Sequence, residues 1–249
     1  LFGVQPAEAG VTAALYARNG MTGPRRLLDS KVGYFATASM AGRLERGPEQ
    51  RTWALAQPRR KLHACCGYIH SAADAAAKVR ARLAAPAPQG EWEVHVAPYV
   101  ADVVGKAAPP TSPNDARFHL QYCLALVLCG HDVILPEHSI ELATYLKQPE
   151  VLDGMARIRV VSNPELTHYH QSIVIFRGEG GSRTEERLSA PRGSPHEPLS
   201  DDDVIGKFLA LASPVIGDQA AQEFVEKISR LETAADSRDV LRPLAACER

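Results

Sequence analysis

At 249 residues the chain is long enough to bury a core in one domain or two. A formal charge of -1 supplies no field for nucleic acid, and no apolar run approaches the roughly 20 residues of a membrane helix. Aromatic residues at 6% and abundant Ala favour helix-rich packing over an all-β sandwich. The five Cys, at 65, 66, 123, 129 and 247, follow no CxxC spacing, which suits free thiols in a reducing cytoplasm and gives no structural zinc site. Leu1 is not an initiator Met, and the start of the protein is expected upstream.

From Pro6 to Asn19 the positions Ala7, Val11, Ala14, Leu15 and Ala17 fall at helical spacing, and Gly20 stops the run. A short second helix is expected from Arg25 to Ser30. Between Ala41 and Arg60 the chain turns polar. Arg43, Arg46, Arg51, Arg59, Arg60 and Lys61 accumulate there against Glu45 and Glu49. Such a run is either a solvated linker or a positive approach to an anion site. Ser71 to Ala85 reads as an Ala-rich helix capped by Ser71 and ended by Pro86. Glu91 to Ala97 alternates, with Trp92, Val94 and Val96 on one strand face.

Asn114 to Cys129 reads as one long apolar helix closed by Gly130, with Phe118, Tyr122, Ala125 and Leu126 on its face. Helices follow at Ser139 to Leu146 and Pro149 to Met155, then strands at Arg157 to Val161 and Gln171 to Arg177. Gly178-Glu179-Gly180-Gly181 turns the second of these into Ser182 to Leu188, a β-hairpin. Ser200-Asp201-Asp202-Asp203 starts a helix with a Ser cap and acidic residues at its positive end. Amphipathic helices near Asp218 to Glu232 and Ser237 to Ala246 complete the chain. The order is helices, a mixed block, then helices. It predicts an α+β fold: an all-α helical layer made from both chain ends and an α+β insert between them.

Chemistry concentrates in Lys61-Leu62-His63-Ala64-Cys65-Cys66-Gly67-Tyr68-Ile69-His70, where an amine, two thiols, a phenol and two imidazoles share ten residues. Each can move a proton near neutral pH if its surroundings shift its pKa. The bland alternatives are packed Cys, satisfied His and a surface cation at Lys61. On a continuous helix, Asp115, His119 and Tyr122 share one face, either toward water or toward a ligand. His168 and His170, two apart, are a weak metal signal and read better as loop residues. No strand–Gly-rich–helix context supports a nucleotide site, and no Gly-x-Ser-x-Gly nucleophile motif is present.

Three stretches carry a family resemblance: Lys61 through Ala76 (KLHACCGYIHSAADAA), Ser112 through Ala125 (SPNDARFHLQYCLA) and Arg192 through Ala212 (RGSPHEPLSDDDVIGKFLALA). With Gly10 through Pro24 before them, they lie in the order and spacing of the MmgE/PrpD family, which the chain resembles over nearly its whole length. That family includes 2-methylcitrate dehydratase, cis-aconitate decarboxylase and iminodisuccinate epimerase. The resemblance implies a helical domain built from 1–56 and 193–249 with an α+β lid over 57–192, the N-terminal part of the helical domain being absent. It implies a lyase or isomerase that needs no cofactor and no metal, acting on a small polycarboxylate in the cytoplasm, as a homodimer.

Lys61 matches an active-site Lys of the family. Cys66 falls where the decarboxylase branch has a catalytic His, which argues for a 2-methylcitrate dehydratase-like reaction over cis-aconitate decarboxylation. His119 is the third catalytic candidate, and His70, Arg117 and Tyr122 are the candidate substrate contacts. Two other readings stay open: an epimerase of an amino-dicarboxylate, and a non-catalytic member acting as an assembly partner. Because further catalytic residues of the family precede the matched region, the isolated chain is expected to have little activity.

Overall fold

The structure is a computed structural model and describes residues 3–28, 30–37, 56–83 and 90–246. The chain divides into two compact units, Leu1–Trp53 and Ala54–Arg249. The first unit contains helix α1, Val4–Arg18, and the single turn α2, Tyr34–Thr37. Helix α1 ends where the Asn19 side chain donates to the Leu15 carbonyl at 2.8 Å and Gly20 takes a positive φ. Residues 25–28 form a turn, not the helix expected from Arg25 to Ser30. With Pro24 and Gly23 before it, that stretch is too short to nucleate a helix without packing. Most of the basic linker predicted from Ala41 to Arg60 lies outside the described residues, which resume at 56.

The second unit is built on a four-stranded mixed sheet of order β2-β1-β3-β4, from β1 (Gly90–Val96), β2 (Ile158–Ser162), β3 (Ser172–Gly178) and β4 (Arg183–Leu188). Strand β1 runs parallel to β2, with Val94 opposite Val160, and antiparallel to β3, with Val94 opposite Val174. The β3–β4 pair is the hairpin expected from the glycine-rich turn. As the alternation predicts, Trp92, Val94 and Val96 are buried, and Trp92 packs against Phe176 with ring centroids 5.0 Å apart.

Helix α3, His70–Arg82, covers this face. Its inner residues Ala72, Ala73, Ala75, Ala76 and Val79 are fully buried, and their short side chains bring the helix axis close to β3 and β4. Lys78 and Arg82 at its outer edge reach Glu186 of β4. The cap differs from expectation. Ile69 is the N-cap and makes no side-chain bond, while the Ser71 hydroxyl lies inside the first turn and donates to the His170 carbonyl. A tertiary acceptor has taken the hydroxyl that local geometry offers to the helix end.

The long helix predicted from Asn114 to Cys129 is two helices, α5 (Pro113–Arg117) and α6 (Leu120–Leu128), preceded by α4 (Pro98–Val104). The break sits at Phe118–His119. The His119 ring accepts the Tyr122 backbone N–H at 3.2 Å and so caps α6. Then follow α7 (Glu137–Ile140), α8 (Leu142–Tyr145) and α9 (Pro149–Ala156). Helix α9 packs on α6 where Gly154 meets Ala125: a Cβ at 154 would lie 3.2 Å from the Ala125 methyl.

Ser200 and Asp203 form the predicted capping box of α10, Asp201–Ile216. Phe208 of α10 stacks on Phe224 of α11, Asp218–Ile228, and α12 (Ser237–Leu241) follows a short 3-10 turn. Helices and one mixed sheet make the chain α+β, as the order of elements predicted. Among the described residues no helix is long and apolar enough to cross a membrane.

Candidate functional site

The segment 59–69 carries the richest chemistry and has little regular structure of its own, so its shape comes from bonds to its neighbours. The Ala64 amide donates to the Ile134 carbonyl at 2.7 Å, and the Cys66 amide to the Arg117 carbonyl at 2.8 Å. The Arg60 amide donates to the Gly193 carbonyl at 2.8 Å. From α10 the Lys207 ammonium donates to the Lys61 carbonyl. The Lys61 ammonium in turn donates to the Cys65 carbonyl at 3.1 Å, curling the side chain over its own loop.

The partner wall comes from two distant stretches. The β2–β3 connection brings Tyr169 and His170, and the turn after β4 brings Pro191, Arg192, Gly193 and Ser194. With Arg59, Arg60, Lys61, Gly67 and His70 they enclose a cleft of about 200 Å³. Among the described residues every charged side chain in this lining is a cation: Arg59, Arg60, Lys61 and Arg192. Two imidazoles, His70 and His170, and one phenol, Tyr169, supply the remaining polar groups besides Ser194. Arg59 is fixed by donating to the Tyr169 hydroxyl at 2.8 Å, and Tyr169 packs on Tyr68 and His170.

Gly193 makes the approach of the two walls possible. Its φ is +88°, and a Cβ there would fall 2.0 Å from the Arg60 carbonyl oxygen. Both the backbone conformation and the contact exclude any side chain. Behind the walls, the buried carboxylate of Asp74 accepts from the His63 ring at 3.2 Å and from the Arg192 amide at 2.8 Å. The other His63 nitrogen accepts the Ile134 amide at 3.2 Å.

Burial comes first in the electrostatics of this loop, with neighbouring charges acting on it. Burial and the nearby Lys61 charge lower the Lys207 pKa. Burial, helped by His168, Arg59 and His196, pulls His170 down to about 4, so its ring is neutral near pH 7. Burial raises the half-buried Cys66 thiol, with the Lys61 charge acting against it. Hydrogen bonding to Cys123 and then burial push Cys65 well up, so both thiols stay protonated at neutral pH. Among the described residues Cys65, Cys66, Cys123 and Cys129 are free, and no group of three His, Cys, Asp or Glu side chains could hold a metal ion.

Of the residues expected at the site, the structure brings Lys61 and His70 to the cleft and sets Cys66 beside its rim residue Gly67. The other three sit elsewhere. His119 is 0% exposed; one ring nitrogen accepts from Tyr122 and the other donates to the Ala108 carbonyl at 2.7 Å. It borders a different cavity, with Lys106 and Gln121, and burial lowers its pKa. Tyr122 is buried and donates its hydroxyl to the His138 carbonyl at 2.5 Å. The Arg117 side chain donates to the Ser139 hydroxyl at 3.0 Å. The shared helix face of Asp115, His119 and Tyr122 is lost with the break in the helix. Arg117 still touches the site indirectly, through the carbonyl that accepts Cys66.

Sequence reasoning did not single out Arg192, Tyr169 and Asp74. Arg192 and Tyr169 carry no local signal, since only tertiary contact sets them against Lys61. Asp74 had one: a lone carboxylate on an Ala-rich helical face, which demands a partner once the face is buried.

The MmgE/PrpD C-terminal domain family model matches residues 63–233. The cis-aconitate decarboxylase-like protein oryM of Aspergillus oryzae is 24% identical, across 94% of this chain and 52% of its own length. The cis-aconitate decarboxylase of Homo sapiens is 23% identical, across 92% of this chain and 49% of its own. That of Mus musculus is 24% identical, across 96% and 50%. The chain thus spans about half the length of the curated relatives it matches.

Proposed function

The chain belongs to the MmgE/PrpD family, and from that premise we propose a lyase activity on small polycarboxylic acids, dehydration of a 2-methylcitrate-like acid foremost. One observation carries the reading: a cleft of about 200 Å³ whose charged lining, among the described residues, is four cations and no carboxylate. A carbon next to a carboxylate loses its proton reluctantly, because charge builds beside charge already present. Fixed cations aimed at the carboxylates stabilise that charge where it develops.

In this proposal Lys61, with Arg59, Arg60 and Arg192, holds the substrate carboxylates. The His70 imidazole on the cleft wall accepts the carbon-bound proton. The Cys66 thiol, kept protonated by burial, donates to the departing hydroxyl, which leaves as water. His119, Arg117 and Tyr122 act from behind, by fixing the α5–α6 corner that holds the Cys66 loop. The site uses the chain's own acids and bases and calls on no cofactor.

A second reading has a specific support: the relatives are named cis-aconitate decarboxylases. Loss of carbon dioxide needs the same carboxylate clamp, then protonation of carbon, a task within reach of a protonated thiol. The test is to incubate the full-length protein with 2-methylcitrate, cis-aconitate and iminodisuccinate and follow each by NMR. Water loss from 2-methylcitrate is expected. Carbon dioxide release from cis-aconitate selects the second reading, and epimerisation or inertness toward all three removes both. A cytoplasmic homodimer is part of the proposal, and light scattering of the purified protein checks the assembly.

A further inference from the structure

We propose that Asp74 is a positioning residue for the anion cleft, holding its two basic walls at the spacing a polycarboxylate requires. The inference rests on the reading of the cleft given above and assigns its geometry to one buried carboxylate.

Asp74 is 4% exposed, on the Ala-rich face of α3. Its two oxygens serve two different walls. Oδ1 accepts from Nε2 of His63, two residues along the chain from Lys61. Oδ2 accepts from the backbone amide of Arg192, whose neighbour Gly193 accepts the Arg60 amide. Arg60, Lys61 and Arg192 are therefore all referenced to the same side chain within a few bonds.

The hydrogen bonds orient the ring. His63 is 1% exposed, and its Nδ1 accepts the Ile134 amide, so that Nε2 is the nitrogen that faces Asp74 as a donor. The carboxylate is held by two N–H donors, one from each wall, an arrangement in which both acceptor sites are needed. Asparagine offers one oxygen and one amino group. Whichever way it is turned, a donor then faces a donor, and one wall loses its anchor.

The experiment uses the full-length protein and tricarballylate, a tricarboxylate with neither a hydroxyl to lose nor a double bond. Calorimetry gives its dissociation constant, circular dichroism and thermal melting report folding, and steady-state assays separate KM from kcat. Asp74→Asn and His63→Leu are each expected to weaken tricarballylate binding at least tenfold, with KM rising more than kcat falls. His63→Gln, whose amide donates to Asp74 and accepts from Ile134, is expected to stay within threefold of wild type. If Asp74→Asn does not fold, the contrast between His63→Leu and His63→Gln decides. Folded Asp74→Asn and His63→Leu proteins that bind within threefold of wild type, beside a Lys61→Ala protein that binds at least tenfold more weakly, overturn the inference and leave the cleft reading standing. Binding that neither Lys61→Ala nor Arg192→Ala weakens overturns the cleft reading itself.

Discussion

Two groups of cations in the second unit contrast sharply. On the outer face of the sheet, Arg159 and Arg177 converge on Glu93, with His95 beside it. Arg159 first, then Arg177 and His95, hold that carboxyl down at about 2 against the opposing effect of burial. In the cleft no ion pair joins Arg59, Arg60 or Lys61 to a carboxylate among the described residues, Arg192 pairs with Asp203 at 3.3 Å, and burial, then the Lys61 charge, pulls the neighbouring Lys207 down. The sheet cluster gathers its cations around a carboxylate of its own and stabilises the fold. The cleft carries more cations than paired carboxylates, which costs stability and gives an incoming anion something to bind. Where a cation lacks a matching carboxylate, function is the better explanation for its place.

Substitutions that touch only one cluster sharpen this contrast, the largest effect coming first. Gly193→Ala forces a side chain into a positive-φ position and onto the Arg60 carbonyl. A loss of about 3 kcal/mol is expected by denaturant unfolding, together with loss of anion binding. Lys61→Ala is expected to lower kcat/KM about a hundredfold, roughly 2.7 kcal/mol of transition-state stabilisation, while the melting temperature holds. Unchanged turnover would remove Lys61 from the site.

Glu93→Gln should do the reverse, costing about 1 kcal/mol of stability with no change in turnover. A drop in activity there would erase the distinction between the clusters. The smallest effect is the pH dependence. His170, held down at about 4, takes up its proton in the unfolded state first. Stability therefore falls as pH drops from about 6.5 toward 4. Glu93, also depressed, gives a separate loss as pH falls from 4.5 toward 2. Burial also lowers His138 to about 4, so His170→Gln should make the first branch shallower without abolishing it, and leave the second unchanged, in a series of melts.

Much of this fold is legible in the sequence where the signal is local. Ser200 with Asp203, the glycine turn at 178–181 and the alternation of Trp92, Val94 and Val96 each specify an element by short-range chemistry. The break at Phe118–His119 is not legible, because no Gly or Pro marks it. A buried imidazole competes there with the helix for the Tyr122 amide, and its burial depends on the whole fold. Ser71 misleads for a similar reason, its hydroxyl being claimed by His170, 99 residues away. Lys61 and His70 stand out because reactive types crowd one loop. Arg192 and Tyr169 become visible only when the chain has brought 59–61 against 169–170 and 191–194.

Strand β1 lies inside the sheet, and both of its neighbours, β2 and β3, come later in the chain, beginning at Ile158 and Ser172. During synthesis it leaves the ribosome with two open hydrogen-bonding edges and a Trp-Val-Val face that find no strand until some sixty more residues have been added. Six small helices, α4 to α9, are made in the interval and can form from their own local contacts. Newly made protein is thus most exposed to sticking between chains while that stretch is being translated, and slow refolding from denaturant should share the same bottleneck.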